Sequence, residues 1–337
     1  MKVLCLGFSR IVQRRVLPAL ESLAAIDGID IASRRGAPPP EHRSARVEDC
    51  FADFQQALDA SRAEVVYVST VNSEHAEWAE KALRSGRHVI VDKPSFTHLD
   101  EAERLITLAE KRGLCLAEAT VYAAHPQIAL CRQVFADADS APRRISAVFS
   151  MPPLAPDNFR YRAGLGGGAL WDLGPYAVSL GRVFFGSRPT EIQGAITSRG
   201  GDDNVDTAFS LLATYPDGRT VTGHFGFDTE YCNEVVLLGP GVSIHLSRVF
   251  STPSNMAGEL RVRRHNEAAC VEAGPADSFA LFMDDVLRRS RSGDVAELHQ
   301  ALRDDAAALD ALRRATLRRA TQRGRATKKA VQAIEES

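Results

Sequence analysis

Val3-Leu4-Cys5-Leu6-Gly7-Phe8-Ser9-Arg10-Ile11-Val12 is the stretch that decides the fold. Four apolar residues read as a strand buried on both faces, and the glycine turns the chain. A helical pattern opens at once, with Ile11, Val12, Val16, Leu20 and Leu23 on its apolar face. The alternation continues outward. Ile29-Asp30-Ile31-Ala32 reads as a strand, 51–58 as a helix and Val65-Val66-Tyr67-Val68 as a strand. Then come a helix over 73–85, the strand His88-Val89-Ile90-Val91, a helix over 99–111 and a strand over 114–117. Apolar strands alternating with amphipathic helices call for a parallel sheet covered on both faces, and right-handed crossovers make it doubly wound.

After residue 120 the rhythm changes. A helix near 127–135 and a strand near 144–150 precede a loop rich in proline and aspartate, a glycine run and a helix ending at Phe185. Long strands follow over 191–197, 205–214, 219–227, 233–239, 242–248 and 259–271, divided by turns such as Pro216-Asp217-Gly218. Helices near 276–291 and 297–319 close the chain. The expected fold class is therefore α/β: a doubly wound domain over 1–120, then an α+β domain over 121–337 with an open, mostly antiparallel sheet. The basic tail 313–337 reads as a frayed, solvated helix end or as a binding arm.

A chain of 337 residues with 45% hydrophobic content suits two domains, and a net charge of −2 gives no global attraction to nucleic acid or acidic membranes. No apolar run approaches the roughly 18–20 residues that span a bilayer, and the start lacks the pattern of a signal peptide. The six cysteines are scattered, with no paired spacing, so no metal site and a reduced, cytoplasmic setting are expected.

The first strand–turn–helix can place backbone N–H groups against a pyrophosphate. Its glycine pattern is degraded: Gly7 holds the first position, Ser9 the second and Val12 the third. Ser9 adds a hydroxyl and Arg10 a charge, and Ile11 opens the helix. The second strand ends in Ser33-Arg34-Arg35, with no acid to accept from a ribose 2′-hydroxyl. A serine and two guanidinium groups suit a 2′-phosphate, so NADP(H) is expected over NAD(H).

Three further strand ends carry polar groups to the same edge: Ser69-Thr70-Val71-Asn72 with His75, then Asp92-Lys93-Pro94, then Glu118 with Thr120 and Tyr122. Much later comes Gly166-Gly167-Gly168-Ala169-Leu170-Trp171-Asp172-Leu173-Gly174-Pro175-Tyr176. Reducing a carbonyl creates an alkoxide-like oxygen that needs positive charge and a proton. Lys93 can supply the charge and Tyr176 the proton, the ammonium lowering the phenol pKa. Asp172, one helical turn before Tyr176, can orient the lysine or bind a substrate hydroxyl. Blander readings stand beside these. Asp172 can cap a helix, Tyr176 can be a core aromatic, His75 a first-turn residue and His125 a structural histidine. Trp171 reads as core or as substrate wall, and Pro175 as a kink or a helix start.

These motifs together resemble the glucose–fructose oxidoreductase/inositol dehydrogenase family, Gfo/Idh/MocA. The resemblance rests on the Gly7 turn, Ser69-Thr70-Val71-Asn72 with His75, Asp92-Lys93-Pro94, Tyr122-x-x-His125-Pro126-Gln127 and the glycine run through Gly174. It implies a Rossmann domain, hydride exchange between nicotinamide and a sugar-like alcohol or ketone, and a homo-oligomer, dimer or tetramer, built through the second sheet. On it, Lys93, Asp172 and Tyr176 are catalytic. Gly7, Ser9, Arg10, Ile11, Ser33, Arg34, Arg35, Thr70, Asn72, His75, Asp92, Lys93 and Glu118 hold the cofactor, and Tyr122, His125, Arg160, Trp171 and Asp172 line the substrate. Tyrosine at 176 and Asn158-Phe159-Arg160 resemble the branch with nucleotide-sugar 3-ketoreductases and dihydrodiol dehydrogenases. The departures are the eroded glycine turn and Asp92 where the family usually has glutamate. The same residues serve a ketosugar reductase or a dehydrogenase of a free sugar, polyol or dihydrodiol. The eroded turn also admits a binding protein without catalysis.

Overall fold

The computed structural model describes residues 1–36, 46–265 and 267–335, with side chains up to Arg318. Six strands form the first sheet: β1 (Lys2–Leu6), β2 (Gly28–Ala32), β3 (Val47–Phe51), β4 (Val65–Val68), β5 (His88–Val91) and β6 (Leu116–Glu118). All pair in parallel, in the order β3-β2-β1-β4-β5-β6. The order reverses beside β1, which opens a ligand crevice at the carboxyl ends of β1 and β4. Helices α1 (Leu17–Ser22), α2 (Phe54–Ala60), α3 (His75–Arg84) and α4 (Leu99–Arg112) connect the strands. The helix expected over 51–58 is α2, and strand β3, at the edge of the sheet, was not expected. Exposed Glu48 and Asp49 hide its apolar pattern, and α2 begins only at Phe54, capped by Asp53.

The helix after Gly7 winds with π geometry over Val12–Val16 before α1. Val12, at the third glycine position, is fully buried there. The wider turn falls where a glycine would otherwise allow close helix–strand contact.

The second sheet has eight strands. They are β7 (Arg144–Ser150), β8 (Glu191–Gly200), β9 (Val205–Thr214), β10 (Thr220–Gly226), β11 (Cys232–Gly239), β12 (Val242–Ser247), β13 (Gly258–Arg264) and β14 (Glu267–Ala273). Their order is β14-β13-β12-β11-β7-β10-β9-β8, antiparallel except for the β7–β10 pair. The expected strand over 259–271 is a hairpin, its turn made by His265 at φ +52° without glycine or proline. Helix α5 (Pro126–Ala136) lies between the sheets in sequence, α6 (Ala169–Asp172) and α7 (Gly174–Phe185) lie between β7 and β8, and α8 (Ser278–Ser292) and α9 (Ala296–Glu335) end the chain.

A cut at residue 120 is too simple. Phe279, Met283, Val286 and Leu287 of α8 join the core around β1, and Leu302 of α9 joins the core under α3 and α4. Farther along α9, Leu309 and Leu312 enter the core of the second sheet. The two closing helices thus tie the halves together. Arg313 is not part of a frayed end, since Leu312 and Thr316 beside it are buried. Side chains of the tail from residue 319 lie outside the described residues.

Candidate active site

At the end of β1, Gly7 has φ +103°, and a Cβ there would stand 2.2 Å from the Ser69 carbonyl oxygen. Only glycine fits so close a pass between strand ends. Ser9 turns inward. Its Oγ accepts from the Val12 N–H at 3.2 Å and lies 2.8 Å from Ser69 Oγ, so this hydroxyl caps the helix. Ser69 donates to Asp92 Oδ2 at 2.6 Å and Tyr67 donates to Oδ1 at 2.8 Å. Hydroxyls thus occupy both oxygens of Asp92, and the ends of β1, β4 and β5 are joined by one chain of hydrogen bonds. The helix N-terminus, the tight glycine turn and exposed Arg10 fit a dinucleotide pyrophosphate.

Ser33 accepts from the Arg35 N–H at 3.3 Å, and Arg35 is exposed. Arg34 lies over the Phe54 ring at 4.5 Å and donates to Glu74 Oε1 at 2.7 Å. A carboxylate from the turn Asn72–Glu74 therefore holds Arg34, a neighbour that the local sequence does not reveal.

Lys93, joined to Pro94 by a cis peptide bond, reaches α6. Its ammonium donates to the Asp172 carbonyl at 2.7 Å and to Oδ1 at 2.9 Å. The carbonyl is available because the helix breaks at Leu173: the Tyr176 N–H bonds Leu173 instead, and α7 begins at Gly174 with Pro175 in its first turn. Arg160 Nε grips Asp172 Oδ2 at 2.7 Å. Asp172 is thus a shared counter-ion, not a helix cap, and the two cations hold its carboxyl well below the usual range against the opposing effect of burial. Lys93 is raised: burial lowers it, but Asp172 outweighs that.

The Tyr176 ring centroid lies 5.0 Å from the Lys93 ammonium, and the ring packs edge-on against Phe149 and tilted against Phe250. Its hydroxyl has no hydrogen-bond partner among the described residues, and the residue is partly exposed. Burial raises its pKa, and Lys93 opposes this without reversing it. The expected lowering is corrected: near neutral pH the phenol keeps its proton.

Other expected site residues serve as supports. His75 Nδ1 meets the Pro94 carbonyl at 2.8 Å and its Nε2 faces the Thr70 carbonyl at 3.3 Å, so this buried ring braces two loops. Thr70 Oγ1 donates to the Val71 carbonyl at 3.3 Å. Asn72 donates to the Gly166 carbonyl at 2.8 Å, linking the first domain to the glycine run. Glu118 accepts from the Ser95 N–H at 2.7 Å and from Thr120 at 3.1 Å, holding the loop after Lys93. Tyr122 is 1% exposed, bonded to Ser179 at 2.8 Å, and lies in the core behind Tyr176. His125 is also buried and caps α5 by accepting from the Gln127 N–H at 3.2 Å. Trp171 is covered by Arg313 at 4.1 Å. Sequence reading missed Asp206 on β9, whose Oδ2 accepts from the Leu170 N–H at 2.6 Å and anchors the start of α6. No local pattern marks it.

The sequence signature of the oxidoreductase family with an NAD-binding Rossmann fold matches residues 1–120, and that of the Gfo/Idh/MocA C-terminal domain matches 140–247. The chain belongs to the Gfo/Idh/MocA oxidoreductase family. It is similar to dTDP-3,4-didehydro-2,6-dideoxy-α-D-glucose 3-reductase of Actinomadura kijaniata, with 32% identity over 284 residues, 82% of this chain and 83% of the relative. The Streptomyces violaceoruber enzyme of the same name is 34% identical over 263 residues, covering 77% of this chain and 76% of that one. The crystal structure of KijD10, a 3-ketoreductase from Actinomadura kijaniata in complex with NADP and TDP-benzene, superposes with TM-score 0.85 at 29% identity, covering 94% of this chain and 98% of that one. As a Gfo/Idh/MocA member the chain is an NAD(P)-dependent oxidoreductase acting on CH–OH or C=O groups of sugar-like compounds. The binding-only reading is set aside. No helix among the described residues is long and apolar enough to cross a membrane.

Proposed function

We propose that this enzyme is an NADP(H)-dependent reductase of a nucleotide-linked 3-ketosugar. The observation that carries the reading is the Tyr176 phenol, unpartnered among the described residues, beside the Lys93 ammonium. In this reading the bound nicotinamide supplies the hydride. Lys93 stabilises negative charge developing on the carbonyl oxygen, and Tyr176 Oη gives that oxygen its proton. Asp172 and Arg160 fix the lysine, so little reorganisation is needed at the moment of reaction. The turn at Gly7 and the helix start through Arg10 and Ile11 hold the pyrophosphate, and Arg34 with Arg35 faces the 2′-phosphate. Similarity to the dTDP-linked 3-reductases supports reduction of a linked ketosugar over oxidation of a free sugar, polyol or dihydrodiol.

The open face of the second sheet supports a homo-oligomer. Leu212 and Leu238 there remain 37% and 43% exposed, side chains that a second copy would cover. Light scattering on the purified chain tests this. The cysteines form no disulfide among the described residues, which supports a cytoplasmic setting.

The functional test is an assay of NADPH oxidation with dTDP-linked 3-ketosugars, run beside NADP⁺ reduction with free sugars, polyols and dihydrodiols. The account expects the first to be much faster. Faster turnover of an unlinked substrate would overturn the substrate class.

A further inference from the structure

The two halves of the catalytic cluster come from segments far apart in sequence, the loop after β5 and the short helix α6. Lys93 and Asp172 join them directly. A second tie joins the same two segments through α9. Arg313 Nη1 donates to the Thr97 carbonyl at 3.0 Å, four positions after Lys93. The same guanidinium lies 4.1 Å from the centroid of Trp171, the residue before Asp172. Stacking leaves the edge of a planar guanidinium free to donate, so one side chain holds both partners.

The position of Arg313 is fixed from both ends. Leu309 and Leu312 are buried in the core of the second sheet, and Leu309 packs where Gly174 at the start of α7 has no side chain. Leu302, lower on the same helix, is buried in the core of the parallel sheet. Asp206, which anchors the start of α6, also acts electrostatically on Arg313. Arg313 is therefore presented by a helix rooted in both cores, between Thr97 of the one catalytic segment and Trp171 of the other.

We propose that Arg313 is a positioning residue that latches the Lys93 loop to the Asp172 helix, with Trp171 as its platform. Its effect on turnover rests on the catalytic reading above; its effect on the two segments does not. A small misplacement of reacting groups costs up to about 100-fold in rate. Loss of the latch should therefore lower kcat and leave cofactor binding intact.

The test compares Arg313→Ala and Arg313→Lys with the wild-type chain. It measures kcat and KM for ketosugar reduction, the NADPH dissociation constant, and amide hydrogen exchange by mass spectrometry. Arg313→Ala is expected to lower kcat about 10–100-fold with the NADPH constant changed less than about twofold. Exchange should quicken in both 93–99 and 166–176. Arg313→Lys, which keeps a cation and one donor, should recover part of each effect. Faster exchange confined to α9, with kcat unchanged, would overturn the proposal by showing that Arg313 stabilises only its own helix. If the wild-type chain turns over no ketosugar, the catalytic reading fails alone. Coupled loosening of both segments would still support the latch, and its absence would still sink it.

Discussion

Lys93 holds its ammonium 5.0 Å from the centre of the Tyr176 ring while both its hydrogen bonds go to Asp172. The cation is thus neutralised on one side and presented to the phenol on the other. Burial still dominates the phenol, so the pair starts as ammonium and neutral tyrosine. That protonation state is the one a carbonyl reduction consumes.

The pH dependence follows. A phenol raised above the ordinary value of about 10 keeps its proton across the neutral range. Reduction should have a level kcat from about pH 6 to 9 and fall only at more alkaline pH. The reverse oxidation needs tyrosinate and should rise over the same span. A reduction rate that already declines near pH 7 to 8, and does so through Tyr176, would mean that Lys93 outweighs burial.

Asp172→Asn removes the carboxylate shared by Lys93 and Arg160 and should cost about 3–5 kcal/mol at neutral pH, because two cations lose their buried counter-ion. Asp172 titrates lower when folded than its unfolded value of about 3.9. Its stabilisation is therefore fully present above the unfolded value and is lost as pH falls towards and through the folded one. Urea unfolding of wild type and variant should show a gap that narrows between about pH 5 and 3. A gap that widens on acidification would contradict the assigned charge state.

Arg34→Ala tests cofactor choice. Removing a charged donor from a phosphate contact typically costs about 1.5–3 kcal/mol, or roughly 10–100-fold in affinity. NADPH binding should weaken by that factor and NADH binding much less, as read by titration calorimetry. Because Glu74 already holds one side of Arg34, equal weakening of both nucleotides would assign Arg34 to stacking alone.

The doubly wound sheet was legible because its strands are apolar on both faces, and the Gly7 turn because it closes the first of them. Strand β3 was hidden by its exposed acids at the edge of the sheet. Lys93, Asp172 and Tyr176 each carry a local mark: an apolar strand before the lysine, and a glycine run before the aspartate and tyrosine. The grip of Arg160 on Asp172 and the anchoring by Asp206 carry none, since loop closure and sheet pairing create them. The packing of Tyr122, His125 and His75 was not legible for one physical reason. A polar side chain beneath a site looks the same in sequence as one lining it, and only packing separates them. The phenol pKa was misjudged likewise, because Phe149 and Phe250 reach it from separate parts of the second domain.

The most direct test of the central claim is single-turnover reduction of a dTDP-linked 3-ketosugar by wild type, Lys93→Met and Tyr176→Phe, each saturated with NADPH. The account predicts a rate loss of roughly 10²–10⁴-fold in each variant, with NADPH still bound. Wild-type rates in both variants would contradict it.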